Sequence, residues 1–259
     1  MDLENILSNY SYIFILVLIR YLGLFLFAPV LGSNVIPLRI KLGLVFFLAG
    51  MTIPLFYSSG MSLPSQGIVI LRDVLLELGI GFTMGFIANL SFAAIQLAGR
   101  FIDLRMGFAI VNVVDPIHGE TMPMMAQYKN ILAILLFLAM NGHQLLIKTL
   151  YQSFEVIPLA SGFLSNKGFQ FIFRQTGDLF LLAFKIALPV IGTILVADII
   201  FGFLARTIPQ INIFIVGLPV KIMLGFVVLM LSLHFVIYCF QDLFEKAFRD
   251  LINMLKFFV

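Results

Sequence analysis

The chain has 259 residues, 61% of them hydrophobic and only 11% charged, against roughly 25% charged in a typical soluble domain. A soluble globule of this size lacks the polar surface to cover that much apolar side chain, so composition excludes an ordinary soluble enzyme and points to a polytopic membrane protein. The formal charge of +3 is scattered without a basic tract, which speaks against nucleic acid, and a single Cys239 excludes an internal disulfide or a cysteine-based metal cluster.

The start, MDLENIL, has no basic region and carries Asp2 and Glu4, so the first apolar run is expected to be retained. That run, Ile6 to Ala28, holds Arg20 and would reach about 34 Å as a helix, enough to span. Pro29 ends it, because proline cannot donate the next helical bond. Leu42 to Tyr57 forms a second, shorter run with Pro54 inside it. After a polar turn, a third helix is expected near Ile68, with Arg72, Asp73 and Glu77 on its first turns and an uncharged stretch from Leu78 to Gly99. Gly81 and Gly85 there form a small-xxx-small pair, which permits close helix approach.

Gly99 to Asn130 stands apart. Arg100, Asp103, Arg105, Asp115, His118, Glu120 and Lys129 fall close together, broken by Gly, Pro and Met. It reads either as a water-side loop or as a re-entrant, pore-facing segment, since Gly107 to Val114 is apolar yet too short to span. Met106, Met122, Met124 and Met125 are flexible and polarisable, suited to filling an irregular interface or to sealing a pore.

Asn130 to Ile147 is a fourth run, with Asn141, Gly142 and His143 near its end. Gln152 to Phe173 reads as a loop with one short helix. Leu179 to Ala197 is a fifth run, holding Lys185 and Pro189 and followed by Asp198. Ile222 to Gln241 is the sixth, with His234 inside. The tail from Gln241 is an amphipathic helix: Leu243, Phe244, Ala247, Phe248, Leu251, Met254, Leu255 and Phe258 follow the three-and-four spacing, for an interface or a partner. The expected class is therefore all-α.

An isolated charge at the bilayer centre costs about 2.5–3.5 kcal/mol on insertion scales. Arg20 and Lys221 either reach for headgroups or find partners. Lys185 lies too far from Asp198 to pair within one helix, so pairing with another segment or subunit is expected. A proton relay through Lys185, Asp198 and His234 has no supporting spacing. No HExxH, phosphate-binding glycine loop, nucleophile motif or cysteine pair is present, so neither metal, cofactor nor catalytic chemistry is expected. With six spans, Arg39, Lys41, Arg100, Arg105, Lys129 and Arg206 fall on one side, and Arg72, Lys148, Lys167, Arg174, Lys246, Arg249 and Lys256 on the other. The positive-inside rule therefore barely chooses an orientation. Either the spans are bounded differently from these runs, or some apolar segments do not cross lipid in the mature assembly.

A series of elements then lines up along the whole chain: Arg20, Gly23 and Pro29; Gly107-Phe108-Ala109 followed by Val114-Asp115-Pro116; Asn141-Gly142-His143; Ser153, Phe154 and Pro158; Ala187-Leu188-Pro189. The strongest block runs from Gly202 to Lys221, with Ala205-Arg206, Pro209-Gln210-Ile211-Asn212, Phe214 and Gly217 through Lys221. In this order, with this length and hydropathy, the chain resembles the FliR/SctT family of type III secretion export-gate proteins. The resemblance implies a non-enzymatic structural and gating subunit without cofactor, built of helical hairpins. A FliP-like part over 1–180 would precede a FliQ-like part over 181–259. One copy would join about five FliP and about four FliQ copies and meet the switch protein FlhB. It would pass unfolded flagellar proteins across the bacterial inner membrane at the flagellar basal body, with much of the gate lifted towards the periplasm.

The family's plug maps by the same resemblance onto Met106, Gly107, Phe108, Val111, Val114, Asp115, Pro116 and Met122. Subunit interfaces are expected at Arg20, Gly81, Gly85, Lys185, Asp198, Arg206, Pro209, Gln210, Asn212, Phe214 and Lys221. Two other readings stay open: a secondary transporter with a polar site at helices broken by Pro54 and Pro189, and the injectisome counterpart of the same family. Gly107 and Gly217 favour the flagellar branch.

Overall fold

The computed structural model describes residues 3–33, 35–56, 63–108, 123–162, 165–208, 210, 212 and 213–258, with backbone alone for 3–7 and for Ile213 and Phe214. Among the described residues it is all-α. The helices are α1 (Leu3–Phe27), α2 (Leu38–Thr52), α3 (Gly67–Met106), α4 (Met124–Ala139), α5 (Gly142–Val156), α6 (Asn166–Thr207), α7 (Ile213–Leu231) and α8 (Leu233–Leu255). A short 3-10 turn, Ile53–Phe56, follows α2, and Pro54 inside it accounts for the end of the regular helix.

Among the described residues, four helical stretches are long and apolar enough to cross a membrane, namely Ser8–Phe27, Leu38–Phe56, Gly67–Met106 and Asn166–Thr207. Two bent pairs, α4 with α5 and α7 with α8, bring the number to as many as six. The six apolar runs of the sequence are thus present, but four readings are corrected, the first being the sixth run, Ile222 to Gln241, which is broken at Ser232 between α7 and α8 with a bend of 61°. The fourth run is two helices, not one. Asn141 sits at φ 55° and ψ 30°, the left-handed region that asparagine tolerates. Its carbonyl accepts the Gln144 and Leu145 amides, which starts α5 anew. The expected loop from Gln152 to Phe173 is mostly helix: α5 continues to Val156 and α6 begins at Asn166. Finally, α6 runs for 42 residues straight through Pro189. A proline costs about 3 kcal/mol in a helix interior, but a break inside an apolar span leaves several backbone groups without partners, which costs more.

At 1.5 Å per residue the 40 residues of α3 extend about 60 Å, twice the roughly 30 Å hydrocarbon core of a bilayer. The chain divides into two compact units, one of 1–90, 141–175 and 245–259, the other of 91–140 and 176–244. The first has a core of Leu16, Leu24, Ile80, Met84, Leu146 and Leu150, each fully buried. In the second, the Phe92, Phe137 and Phe244 rings meet pairwise at centroid distances of 5.2–5.5 Å. The amphipathic tail is helical as expected, and of its apolar positions Leu243, Phe244, Leu251, Met254, Leu255 and Phe258 are buried.

Candidate functional site

In the first unit the glycine pair brings two backbones together. A Cβ on Gly81 would collide with the Arg20 carbonyl oxygen, one on Gly85 would lie 2.9 Å from the Leu24 oxygen, and one on Gly23 would lie 2.6 Å from the Leu78 oxygen. Three glycines therefore let α1 and α3 pack backbone to backbone. Glu77 lies one turn before Gly81, on the same face of α3, so it meets Arg20. The Arg20 Nε donates to Glu77 Oε2 at 2.5 Å, and both side chains are fully buried. Nη1 donates to the Ser153 carbonyl at 3.2 Å and to the Ile157 carbonyl at 3.1 Å, and Nη2 also reaches Ile157. The guanidinium carbon sits 4.3 Å from the centre of the Phe154 ring. The other Glu77 oxygen accepts the Ala160 amide at 2.9 Å.

This junction joins α1, α3, α5 and the turn after α5 with one ion pair. Of the two outcomes open to Arg20, headgroups or partners, the structure shows partners. Arg20, Gly81 and Gly85, expected at a subunit interface, are buried within the first unit. A neighbouring pair repeats the logic, with the Tyr12 hydroxyl donating to the buried Asp73 at 2.5 Å.

The second unit holds the root of the central segment. α3 ends at Met106, and Gly107 takes φ +89°, a conformation open to glycine without steric cost. The Phe108 amide then folds back to the Asp103 carbonyl at 3.1 Å, the six-to-one bond of a glycine C-cap. The Asp103 side chain acts elsewhere. Its carboxylate accepts the Met125 amide at 3.0 Å and the Ala126 amide at 3.1 Å. These are the second and third residues of α4, whose preceding residue, Pro123, provides no side-chain cap. Asp103 therefore caps α4 from α3, where a negative charge also suits the helix dipole.

One turn earlier, Gly99 removes the side chain that would strike the Ala126 backbone, and Gln96 donates to Asn130 at 3.1 Å. Gln96, Gly99 and Asp103 share one face of α3 by their spacing. The same root rests on α7. Met106 is fully buried, and a Cβ on Gly225 would run into its side chain. Gly107 lies against Leu218, and the Phe108 and Phe226 ring centres are 6.2 Å apart.

Of the expected plug residues, Met106, Gly107 and Phe108 are thus brought together at this root. Val111, Val114, Asp115, Pro116 and Met122 lie outside the described residues, as does Pro209 of the interface set. Phe214 is described by its backbone alone, as the second residue of α7. Lys221 finds a partner: its ammonium pairs with Asp198, joining α7 to α6. Pairing with another segment is thereby met for Asp198. Lys185, Arg206, Gln210 and Asn212 are exposed. Lys129, counted among the flanking charges, is 2% exposed, and its ammonium lies 5.9 Å from the Phe240 ring centre. It cannot vote on orientation as a loop charge.

Sequence reasoning missed Asp103 as a cap and Gly225 as a seat for Met106. The first had a signal: proline directly before an apolar helix offers no capping oxygen, so the orphan amides need one from elsewhere. Ser153 stood in the series that carries the family resemblance, with nothing to tie it to Arg20, and the Ile157 carbonyl had no signal of its own.

Buried charges that tie helix to helix in an apolar, membrane-compatible frame define a structural membrane component. The chain belongs to the bacterial export proteins, family 1, whose model matches residues 11–247. It is 33% identical over 248 residues to the flagellar biosynthetic protein FliR of Bacillus subtilis, covering 93% of this chain and 94% of that one. It is 34% identical to FliR of Pectobacterium carotovorum over 98% of this chain and 95% of the relative, and 30% identical to FliR of Escherichia coli over 92% and 91%. Membership in an export family agrees with the expectation of a non-enzymatic chain.

Proposed function

We propose that the chain is a structural and gating subunit of the flagellar type III export channel, set in the inner membrane at the flagellar basal body. The plug is the segment from Met106 to Met122, with Met106, Gly107, Phe108, Val111, Val114, Asp115, Pro116 and Met122, and unfolded flagellar proteins pass when it moves. The observation that carries this reading is the root: one carboxylate, Asp103, joins the end of α3 to the start of α4. The segment between therefore leaves and returns at a single fixed place. Met106 and Phe108 seat that place on α7.

FliP, FliQ and FlhB are the partners of this reading, with one copy of the chain beside about five FliP and about four FliQ. The division into a FliP-like part over 1–180 and a FliQ-like part over 181–259, and the lift of the gate towards the periplasm, belong to it too. Exposed Phe180, Phe184, Leu188, Leu195, Ile199 and Phe203 give α6 an apolar stripe for partner subunits and lipid. Exposed Lys185, Arg206, Gln210 and Asn212 are polar contacts for the same partners.

The test replaces residues 109–122 by a Gly-Ser chain of equal length in the assembled complex and records potassium conductance in planar bilayers. A leak absent from the natural complex is expected. Unchanged conductance from a complex of normal subunit composition would remove the plug assignment.

A further inference from the structure

A groove of about 530 Å³ opens on the first unit between α2 and α5, within the roughly 300–1,000 Å³ of sites that take small ligands. Leu48 and Met51 of α2 and Ile147 of α5 give it hydrocarbon walls. Its floor is Tyr21, whose hydroxyl pairs with Thr52 at 2.9 Å, while Thr52 also reaches the Leu48 carbonyl. The floor is therefore satisfied and offers a ligand no spare donor.

The rim differs. Gln144, Lys148 and Tyr151 lie on one face of α5 at the spacing of successive turns, all exposed. Among the described residues, none of their side chains has a hydrogen bond or ion pair. An apolar trough beside α2, which lies in a stretch long and apolar enough to cross a membrane, is thus edged by one cation and two neutral donors, and no acid lines it.

We infer that this groove holds one anionic phospholipid, with an acyl chain along Leu48, Met51 and Ile147 and its phosphate against Lys148, Gln144 and Tyr151. Charge complementarity selects the occupant. A cation with two donors and no acceptor partner suits a phosphodiester, and a zwitterionic lipid brings a second cation to a rim that already holds one. The lysine stem lies along apolar surface while its head meets the lipid phosphate. Basic pockets between membrane helices take lipid headgroups on the same physics.

The test uses the chain in its membrane complex, exchanged into nanodiscs of mixed phosphatidylglycerol and phosphatidylcholine, with retained lipid counted by native mass spectrometry. One tightly held phosphatidylglycerol is expected, and Lys148→Gln weakens its retention about fivefold, the worth of one basic side chain at an anionic surface. A photoreactive benzoylphenylalanine in place of Met51 is expected to capture lipid. Equal retention by Lys148→Gln, or equal retention of phosphatidylcholine, would overturn the inference. So would displacement of the lipid by inorganic phosphate, which marks a free-anion site, or capture of a protein chain at position 51, which marks a subunit contact. Lys148 is exposed, so its replacement leaves the fold intact, and the Met51 probe reads the occupant independently of it.

Discussion

Removing the Glu77 carboxylate should be among the most damaging single changes available to the first unit. Glu77→Ala leaves the Arg20 guanidinium buried at 0% exposure with two carbonyls, the Ser153 hydroxyl and one ring around it and no anion. Stranding one member of a buried pair costs about 3–5 kcal/mol, and the Ala160 amide loses its acceptor as well, worth a further 1–3 kcal/mol or so. Arg20→Met strands Glu77 in the opposite sense. The cycle is built on Glu77→Gln, which alone strands the Arg20 charge but keeps an acceptor for Ala160, while the double change Arg20→Met with Glu77→Gln buries no net charge. The double should therefore cost clearly less than the sum of the Arg20→Met and Glu77→Gln singles, with a coupling of about 2–3 kcal/mol. Unfolding in mixed detergent micelles followed by circular dichroism measures all four corners of the cycle. Additive singles, with coupling below about 0.5 kcal/mol, would refute the view that the pair acts as one unit.

Other outcomes follow from neighbouring geometry. Asp103→Ala uncaps α4 and should cost about 1–2 kcal/mol, and it should raise the ion leak of the assembled complex by loosening the root of residues 109–122; conductance beside thermal stability checks both. Gly79→Ala and Gly81→Ala form a matched pair on α3. The first meets no atom within 4 Å and should gain up to about 1 kcal/mol of helix stability, whereas the second strikes the α1 backbone and should lower the melting temperature. Asp198→Ala should strand Lys221 at a cost of about 2.5–3.5 kcal/mol if the pair lies in lipid, and adding Lys221→Met should restore complex yield; failure to restore it would show that the pair does not act alone.

Much of this architecture was legible because lipid forces it. Apolar runs of spanning length must be helices, and the Gly81–Gly85 spacing marked a close approach whose partner, α1, the pattern could not name. The polar chemistry was less legible. Arg20 and Glu77 are 57 residues apart, and nothing local to either reports the other. Lys129 reads as a loop charge until α4 is seen to begin at Met124 and to bury it. Asn141 was visible near the end of an apolar run, yet hydropathy is blind to a backbone turn that keeps the same apolar composition on both sides. Pro189 misled in the other direction, since a rule drawn from water-exposed helices overstates a proline's power to break a helix in lipid. At the root, Gly107 was legible as a glycine in a key block, while the reach of Asp103 to α4 depends on a fold that no spacing within α3 encodes.

The clasp at Asp103 has a consequence for how the chain can vary. The ends of α3 and α4 are held by contacts that lie wholly within the two helices: Asp103 on the Met125 and Ala126 amides, Gly99 against the Ala126 backbone, and Gln96 on Asn130. Sequence change between Phe108 and Pro123 therefore leaves every one of those contacts in place, so the register of the two helices can be kept while the stretch that joins them varies.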